Sequence, residues 1–579
     1  MRPRVPFTPL AMAFSAAIFS SGAVQNTPTP ESVAVQLLAF NDFHGHLEPP
    51  SGSNGHIGST PAGGIEYLAT HLAQLKAQNP NTLTVAAGDL IGASPLLSGL
   101  FHDEPTIEAL NAVGLDVSSV GNHEFDEGWP ELYRMQRGGC HPIDGCLDGT
   151  PFTGAAFQYL AANVILNPRT IDKAVLSRSG VTINDRRLLQ PLFPASVVKV
   201  VGGVKVGFIG MTLRRTPELV GQKGVQGLLF RDEADSANQT VRLLRTQGVR
   251  AIVVLIHQGG VPSGDDYNGC DGVSEPIESI ARQMSNDVDV IVSGHTHRAY
   301  ICTFSGKLVT SAAAFGRLVT KIDLRIDRTT GDVVSKTAHN IVVTRDVEKS
   351  AAQTAILARY RPAYETLGHT IIGTIARDIT RTQNVAGESA LGNLVADSIL
   401  EATRDRSAGG AVVAFMNEGG IRADLVHDSP TSETPATVWY SEAFDVEPFQ
   451  NRLVTKTFTG AMIREALEQQ FDNPDPGRDQ ILQVSAGFHY AYDRSQPRGR
   501  RVDPASIRIG REIVEPKKHY RVAMTDFTAD GGDNFTVFPR GTDAVYDGSD
   551  LEALQAYFKR HSPAAPGPMD RITRRQVDP

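Results

Sequence analysis

The chain reads as an α/β protein, with buried parallel-type strands in its first part and a smaller α+β domain behind them. Three observations carry that reading. Five short apolar runs each end in a cluster of His, Asp or Asn; 579 residues exceed what one hydrophobic core usually organises; and beyond residue 368 strand-like and helical segments alternate. Hydrophobic residues at 41% and charged residues at 21% are ordinary for a globular protein.

The runs come in a fixed order. Residues 35–40 precede Asn41-Asp42-Phe43-His44, 83–87 precede Gly88-Asp89, 117–120 precede Gly121-Asn122-His123-Glu124, 251–256 precede His257, and 288–292 precede Gly294-His295-Thr296-His297. Continuous Val/Ile/Leu runs suit strands buried on both faces of an open sheet, with ligand groups collecting beyond their carboxyl ends. Asp and Asn supply hard oxygens, His supplies imidazole nitrogen, and no Cys lies among them, which favours Zn, Mn, Fe or Co. Two divalent ions about 3.5 to 4 Å apart can acidify a bridging water and clamp both oxygens of an in-line displacement at phosphorus. The chemistry implied is phosphoester hydrolysis.

These motifs resemble the signature of the calcineurin-like metallophosphoesterases. The spelling Gly121-Asn122-His123-Glu124-Phe125-Asp126 further resembles the secreted bacterial 5'-nucleotidase and UDP-sugar hydrolase family. The resemblance implies a four-layer metallophosphoesterase sandwich followed by a smaller α+β substrate-binding domain. It places Asp42, His44, Asp89 and His297 on one ion and Asn122, His257 and His295 on the other, with Asp89 bridging. A shared anion relieves the repulsion between two close cations. His123 would be free of metal and stabilise the phosphoryl transition state, with Asp126 holding its ring nitrogen. Any one of these pieces alone is more often a structural turn. Glu124 reads as a structural hydrogen-bond acceptor and His46 as a supporting or solvated histidine. His56, His71, His102 and His141 read as ordinary.

The N-terminus carries an address. Arg2 and Arg4 precede a short apolar stretch, 10–19, and Ser21-Gly22-Ala23 offers small residues, so 1–23 reads as a signal peptide cut after Ala23. That stretch is too short to span a bilayer, and export to a periplasm or the medium is expected. Four cysteines fit an oxidising compartment, paired as Cys140–Cys146 and Cys270–Cys302. A net charge of −9 argues against a nucleic-acid partner, and the basic cluster 494–501 reads as a solvated hairpin turn. No membrane span is expected, and the sequence leaves the oligomeric state open. The expected division is 31–345, a helical linker at 346–367 and a second domain at 368–575, with the helix at 347–367 kinked at Pro362.

In the second domain a strand at 411–416 leads into Asn417-Glu418-Gly419-Gly420-Ile421-Arg422. Paired glycines let a backbone approach a ligand, and Arg422 is a bidentate phosphate donor. The resemblance implies that Gly420, Arg422 and Arg381 serve the phosphate site, that Phe449 and Phe527 sandwich a base, that Asn451 meets the base edge and that Asp533 holds the ribose hydroxyls. Relatives can carry a second arginine where Val385 stands here. Core packing is the competing reading for each Phe. The sequon Asn534-Phe535-Thr536 reads as incidental. The expected function is an exported metal-dependent 5'-nucleotidase acting on nucleoside 5'-monophosphates. Alternatives are hydrolysis of 2',3'-cyclic nucleotides, or of UDP-sugars and nucleoside polyphosphates, and, from another class, a non-catalytic extracellular nucleotide-binding module.

Overall fold

Alternation along the strand Ser32–Phe40 sets the architecture: Val33, Val35, Leu37 and Ala39 face one side while Leu38 and Phe40 face the other, and all are buried. A strand apolar on both faces needs a cover on both. The computed structural model describes residues 32–575 except 173–174, 177–178, 180, 182–188, 429–433 and 474–476. The signal peptide expected at 1–23 lies outside the described residues.

The covers are unlike one another. One six-stranded sheet runs in the order Val333–Val342, Leu318–Asp327, Ser32–Phe40, Thr82–Ala87, Val117–Ser119, Gln158–Leu160, and a second in the order Ala299–Phe304, Lys307–Ala312, Val290–Ser293, Ala251–His257, Val204–Thr212, Ser196–Val201. The two sheets pack face to face through Val35, Leu37 and Val85 of one and Phe208, Val253 and Val292 of the other. Helices Ile65–Lys76, Glu104–Ala112 and Trp129–Arg137 cover the outer face of the first sheet, and Glu233–Thr246 and Ile277–Gln283 that of the second. The apolar runs alone pointed to one open sheet. Two form, and the result is the four-layer sandwich that the resemblance implied.

Register brings the strand ends level. Phe40 pairs with Ala86, Ile256 with Ser293, and both pairings are parallel, so the carboxyl ends of both sheets open on one rim. Every ligand motif leaves a strand at that rim.

The helix expected at 347–367 runs over Ala351–Gly368 and continues through Pro362. Its Leu357 and Tyr360 are buried in the core beneath the first sheet, and Gln353 Nε2 donates to the Ala109 carbonyl at 3.0 Å. In the second domain a five-stranded sheet, ordered Gln483–Val484, Val413–Met416, His519–Thr525, Arg452–Thr459, Thr542–Ser549, carries the helices Ala390–Thr403 and Asp550–His561 on one face. Ser389 Oγ caps the first of these by accepting from Gly392 N at 3.0 Å.

Both expected disulfides, Cys140–Cys146 and Cys270–Cys302, are formed. The basic cluster 494–501 does turn back on itself, with Tyr492 bridged to Val502, but two of its arginines are not solvated: Arg494 and Arg501 each reach Asp472 at 2.7 Å. Among the described residues no helix is long and apolar enough to cross a membrane.

Candidate dinuclear metal centre and its cleft

The ligand motifs bend sharply as they leave the strands. Asp42, His44, Asp89, His295 and His297 all have positive φ, between 48° and 74°, a left-handed conformation that Asp and His tolerate better than most residues. Such turns crowd backbones together, so Gly121 has no alternative: a Cβ there would collide with the Asp89 carboxylate and backbone nitrogen.

Two clusters result. Asp42, His44 and His297 converge on one point and Asp89, His257 and His295 on another. Within the first, His44 Nε2 lies 3.1 Å from His297 Nε2 and His297 Nε2 lies 3.3 Å from Asp42 Oδ1. Within the second, Asn122 Oδ1 lies 3.1 Å from His295 Nδ1. Asp89 Oδ2 is 2.9 Å from His257 Nε2 and 3.6 Å from His44 Nε2, so one oxygen faces ligands of both clusters. All seven residues proposed from sequence are therefore brought together.

The donors fit divalent ions. His44 Nδ1 is 2.8 Å from the Gly92 carbonyl and His257 Nδ1 is 2.8 Å from the Ala87 carbonyl, so each ring donates through Nδ1 and turns the lone pair of Nε2 inward. His257 Nε2, fully buried, has no aligned hydrogen-bond partner although a carboxylate oxygen stands beside it. Burial holds His44, His295 and His297 below the usual imidazole range, in the neutral form that ligates. Burial also acts to lower His257, but Asp89 and Asp42 outweigh it and push it up to about 10: without metal, a proton is held where a cation belongs.

Around the clusters sits a ring of supports. Glu124 accepts from the backbone N–H groups of Asp89 at 2.9 Å, Leu90 at 2.8 Å and Gly121 at 2.5 Å, which makes it the structural acceptor expected of it. Asn41, absent from the candidate set, donates to Asp42 Oδ2 at 2.6 Å and to the Ala313 carbonyl at 2.7 Å. Its place immediately before Asp42 was the only signal available. His46 lies stacked on Phe315 at 4.1 Å and bonds through Nδ1 to the His44 carbonyl, outside both clusters.

His123 stands between the metal clusters and the open cleft. Its Nδ1 is 2.8 Å from Asp126 Oδ2 and its backbone N–H donates to Asp89 Oδ1 at 2.8 Å. Burial works against the imidazolium, yet Asp126 and Asp89 prevail and raise its pKa.

A cleft of roughly 1430 Å³ joins the clusters to the second domain. Arg422 lines it, with Nη2 buried and lacking a hydrogen-bond partner. Gly420 lines it as well. Phe449 and Phe527 are half-buried on its wall rather than packed in a core. Phe449 lies nearly parallel to the His123 ring, with centroids 5.7 Å apart. Phe527 rests on Gly532, where any Cβ would strike its ring; that is why glycine precedes Asp533. Asn417 Nδ2 holds Asp533 at 2.9 Å, while burial lifts the Asp533 carboxyl to about 6. Asn451 reaches the cleft with Nδ2 engaged by Asp550 at 3.1 Å. Arg381 departs from expectation: it lies off the cleft wall and donates to Asn54 Oδ1 at 2.6 Å. Val385 is 76% exposed.

At the mouth of the cleft His102, Glu127 and His141 gather as a third group, missed because its members are 14 to 39 residues apart in sequence. The imidazoles of His102 and His141 stack at 3.8 Å with 21° between planes. At the other clusters, ring pairs sit at 5.0 Å and 62° and at 5.4 Å and 71°, which lets lone pairs converge. Stacked rings aim theirs side by side, so the third group is an ion-pair cluster: His102 lies 2.7 Å from Glu127 and 3.0 Å from Asp144.

Two outcomes follow from this geometry. Asp89→Asn removes the carboxylate that faces both clusters, and metal analysis together with phosphate release should show occupancy and activity falling in step; full activity in metal-free protein would refute the assignment. For His102, burial lowers the pKa but Glu127, Glu131 and Asp144 carry it from 6.5 to about 9. The folded-state value is the higher, so the stabilisation is complete below pH 6.5 and disappears as pH rises through about 9. It should be small, because Glu127 and Asp144 are nearly half exposed. Thermal melts of wild type and His102→Asn should differ at pH 6 and coincide at pH 10.

Comparison with known proteins agrees with this centre. Residues 35–299 match the family described as calcineurin-like phosphoesterase, and residues 367–540 match the family described as 5'-nucleotidase, C-terminal domain. The chain is 32% identical over 543 residues to the endonuclease YhcR of Bacillus subtilis (strain 168), covering 92% of this chain and 40% of that protein. The cell wall protein Lmo0130 of Listeria monocytogenes serovar 1/2a is also 32% identical, over 557 residues, covering 91% of this chain and 67% of that one. A crystal structure of the 5'-nucleotidase precursor from Thermus thermophilus superposes with a TM-score of 0.73 at 26% identity, over 94% of this chain and 100% of the other. The chain thus belongs to the family that joins a calcineurin-like phosphoesterase domain to a 5'-nucleotidase C-terminal domain, and it is a metal-dependent phosphoester hydrolase.

Proposed function

We propose that the chain is an exported 5'-nucleotidase that hydrolyses nucleoside 5'-monophosphates to nucleoside and phosphate. The observation that carries this reading is that one cleft holds His123, Arg422, Phe449, Phe527 and Asp533 together with ligands of both metal clusters. The named activity of the Thermus thermophilus relative supports it. The proposed division is 31–345, 346–367 and 368–575, with a leader removed after Ala23.

Two divalent ions would be held by Asp42, His44, Asp89 and His297, and by Asn122, His257, His295 and the shared Asp89. The oxygen and nitrogen donors suit Zn, Mn, Co or Fe. Bound there, the ions supply Lewis acidity and a nucleophilic water for in-line attack at phosphorus. The rest falls to side chains. Arg422, whose Nη2 is buried without a partner, takes a phosphoryl oxygen. His123, kept protonated by Asp126, stabilises the charge that builds on the phosphoryl group. Phe449 and Phe527 offer aromatic faces to the base, Asn451 its polar edge, and Asp533 accepts from the ribose hydroxyls.

A second reading has its own support. At roughly 1430 Å³ the cleft exceeds the usual range for a small-molecule site, about 300 to 1,000 Å³, and leaves room for larger phosphoesters. 2',3'-cyclic nucleotides, UDP-sugars and nucleoside polyphosphates are the candidates. A panel of these beside AMP, assayed by phosphate release with each metal, decides the order.

Two variants test the roles. His123→Ala should lower kcat by about 10² to 10³ with metal content unchanged, the loss expected for one donor to a developing oxyanion. Loss of an ion in that variant would make His123 a ligand. Phe527→Ala removes a stacking face worth about 1 to 3 kcal/mol, so KM for AMP should rise about 5- to 150-fold while hydrolysis of p-nitrophenyl phosphate stays near normal. Equal losses on both substrates would count against base stacking.

A further inference from the structure

Four hydrogen bonds tie the loop Gly52–Gly55 of the first domain to the second. Ser53 donates to Asp424 Oδ2 twice, from its backbone N at 3.2 Å and from Oγ at 2.6 Å. Asn54 Oδ1 accepts from Arg381 Nη2 at 2.6 Å, and Asn54 Nδ2 donates to the Arg422 carbonyl at 3.3 Å. Asp424 completes the set from the other side: its Oδ1 accepts the Arg381 backbone N–H at 2.9 Å and lies 4.0 Å from Arg381 Nε. The contact is sheltered at its centre, where Asn54 is 8% exposed and the Asp424 side chain 3%, and open at Ser53.

Two consequences follow from where these groups sit. Arg381 turns Nη2 to Asn54 and Nε toward Asp424, away from the cleft wall, whereas the Arg422 guanidinium lines the cleft with Nη2 unpartnered. And the bonds grip the chain at the Arg422 carbonyl and, two residues on, at Asp424, which fixes the backbone that carries the Arg422 guanidinium. The Gly52–Gly55 loop in turn follows the first ligand motif, joined to it through a turn in which Ile65 N donates to the Leu47 carbonyl at 3.0 Å. One end of the set is thus anchored near Asp42 and His44, the other beneath Arg422.

We propose that Ser53, Asn54, Arg381 and Asp424 form an interdomain clasp that sets the reach of Arg422 toward the metal centre. In this clasp Arg381 and Asn54 act as positioning residues. The clasp serves any phosphoester the centre accepts, so it stands apart from the nucleotide reading.

A double-mutant cycle on the full mature chain loaded with metal tests it, using p-nitrophenyl phosphate as substrate and inorganic phosphate as inhibitor. Asn54→Ala and Arg381→Ala should each lower kcat/KM by about tenfold, the scale of a hydrogen bond to a charged group, and the double variant should fall no further than either single one. Both should weaken phosphate inhibition equally, and small-angle X-ray scattering should show both more extended than wild type. Losses that multiply in the double variant would overturn the proposal. So would an Arg381→Ala variant that loses phosphate inhibition while Asn54→Ala keeps it, the signature of a direct phosphate ligand. Should Asn54→Ala fail to fold, Ser53→Ala paired with Arg381→Ala poses the same question with the same two outcomes.

Discussion

Carboxylates and imidazoles gathered out of water are unstable company for one another unless positive charge lies between them. Asp42 and Asp89, almost unexposed beside buried His44 and His257 and half-buried His295 and His297, create a negative potential that something must answer. A proton on His257 answers it partly; divalent ions answer it fully. Much of the first domain exists to hold these groups at that distance against their preference. Strand ends made level by register, the Glu124 carboxylate pinning three N–H groups and the carbonyls that orient His44 and His257 all act on the same cluster.

Sequence made this centre legible because each ligand motif is local. An apolar run followed at once by Asp, Asn or His is visible without a fold, and the two disulfides were equally readable from spacing. What escaped were relations that only tertiary structure creates. No local pattern says that Asn54 meets Arg381 across 327 residues or Ser53 meets Asp424 across 371. The second sheet was hidden for a related reason: a run apolar on both faces states that it needs two covers, not what they are. His102 and His141 looked ordinary because stacking depends on the disulfide loop that carries one of them.

The second domain's side of the cleft is arranged by small and polar residues. Gly532 makes a bed for the Phe527 ring, Asn417 holds Asp533, and the Arg422 backbone is gripped from the other domain. Phe449 lies nearly parallel to the His123 ring, so the aromatic wall of the second domain reaches the edge of the metal centre in the first.

The left-handed backbone at five ligands has a consequence for how this chain can drift. A substitution there is judged twice, once for the atom it offers an ion and once for the bend it must accept. Aspartate, asparagine, histidine and glycine tolerate the bend, whereas β-branched side chains do not. Single steps that keep the bend therefore lead to another donor or to glycine, which holds the turn and gives up the ligand. A lineage that stopped needing the ions would still carry part of their imprint, because the bends alone hold these positions to the same few residue types.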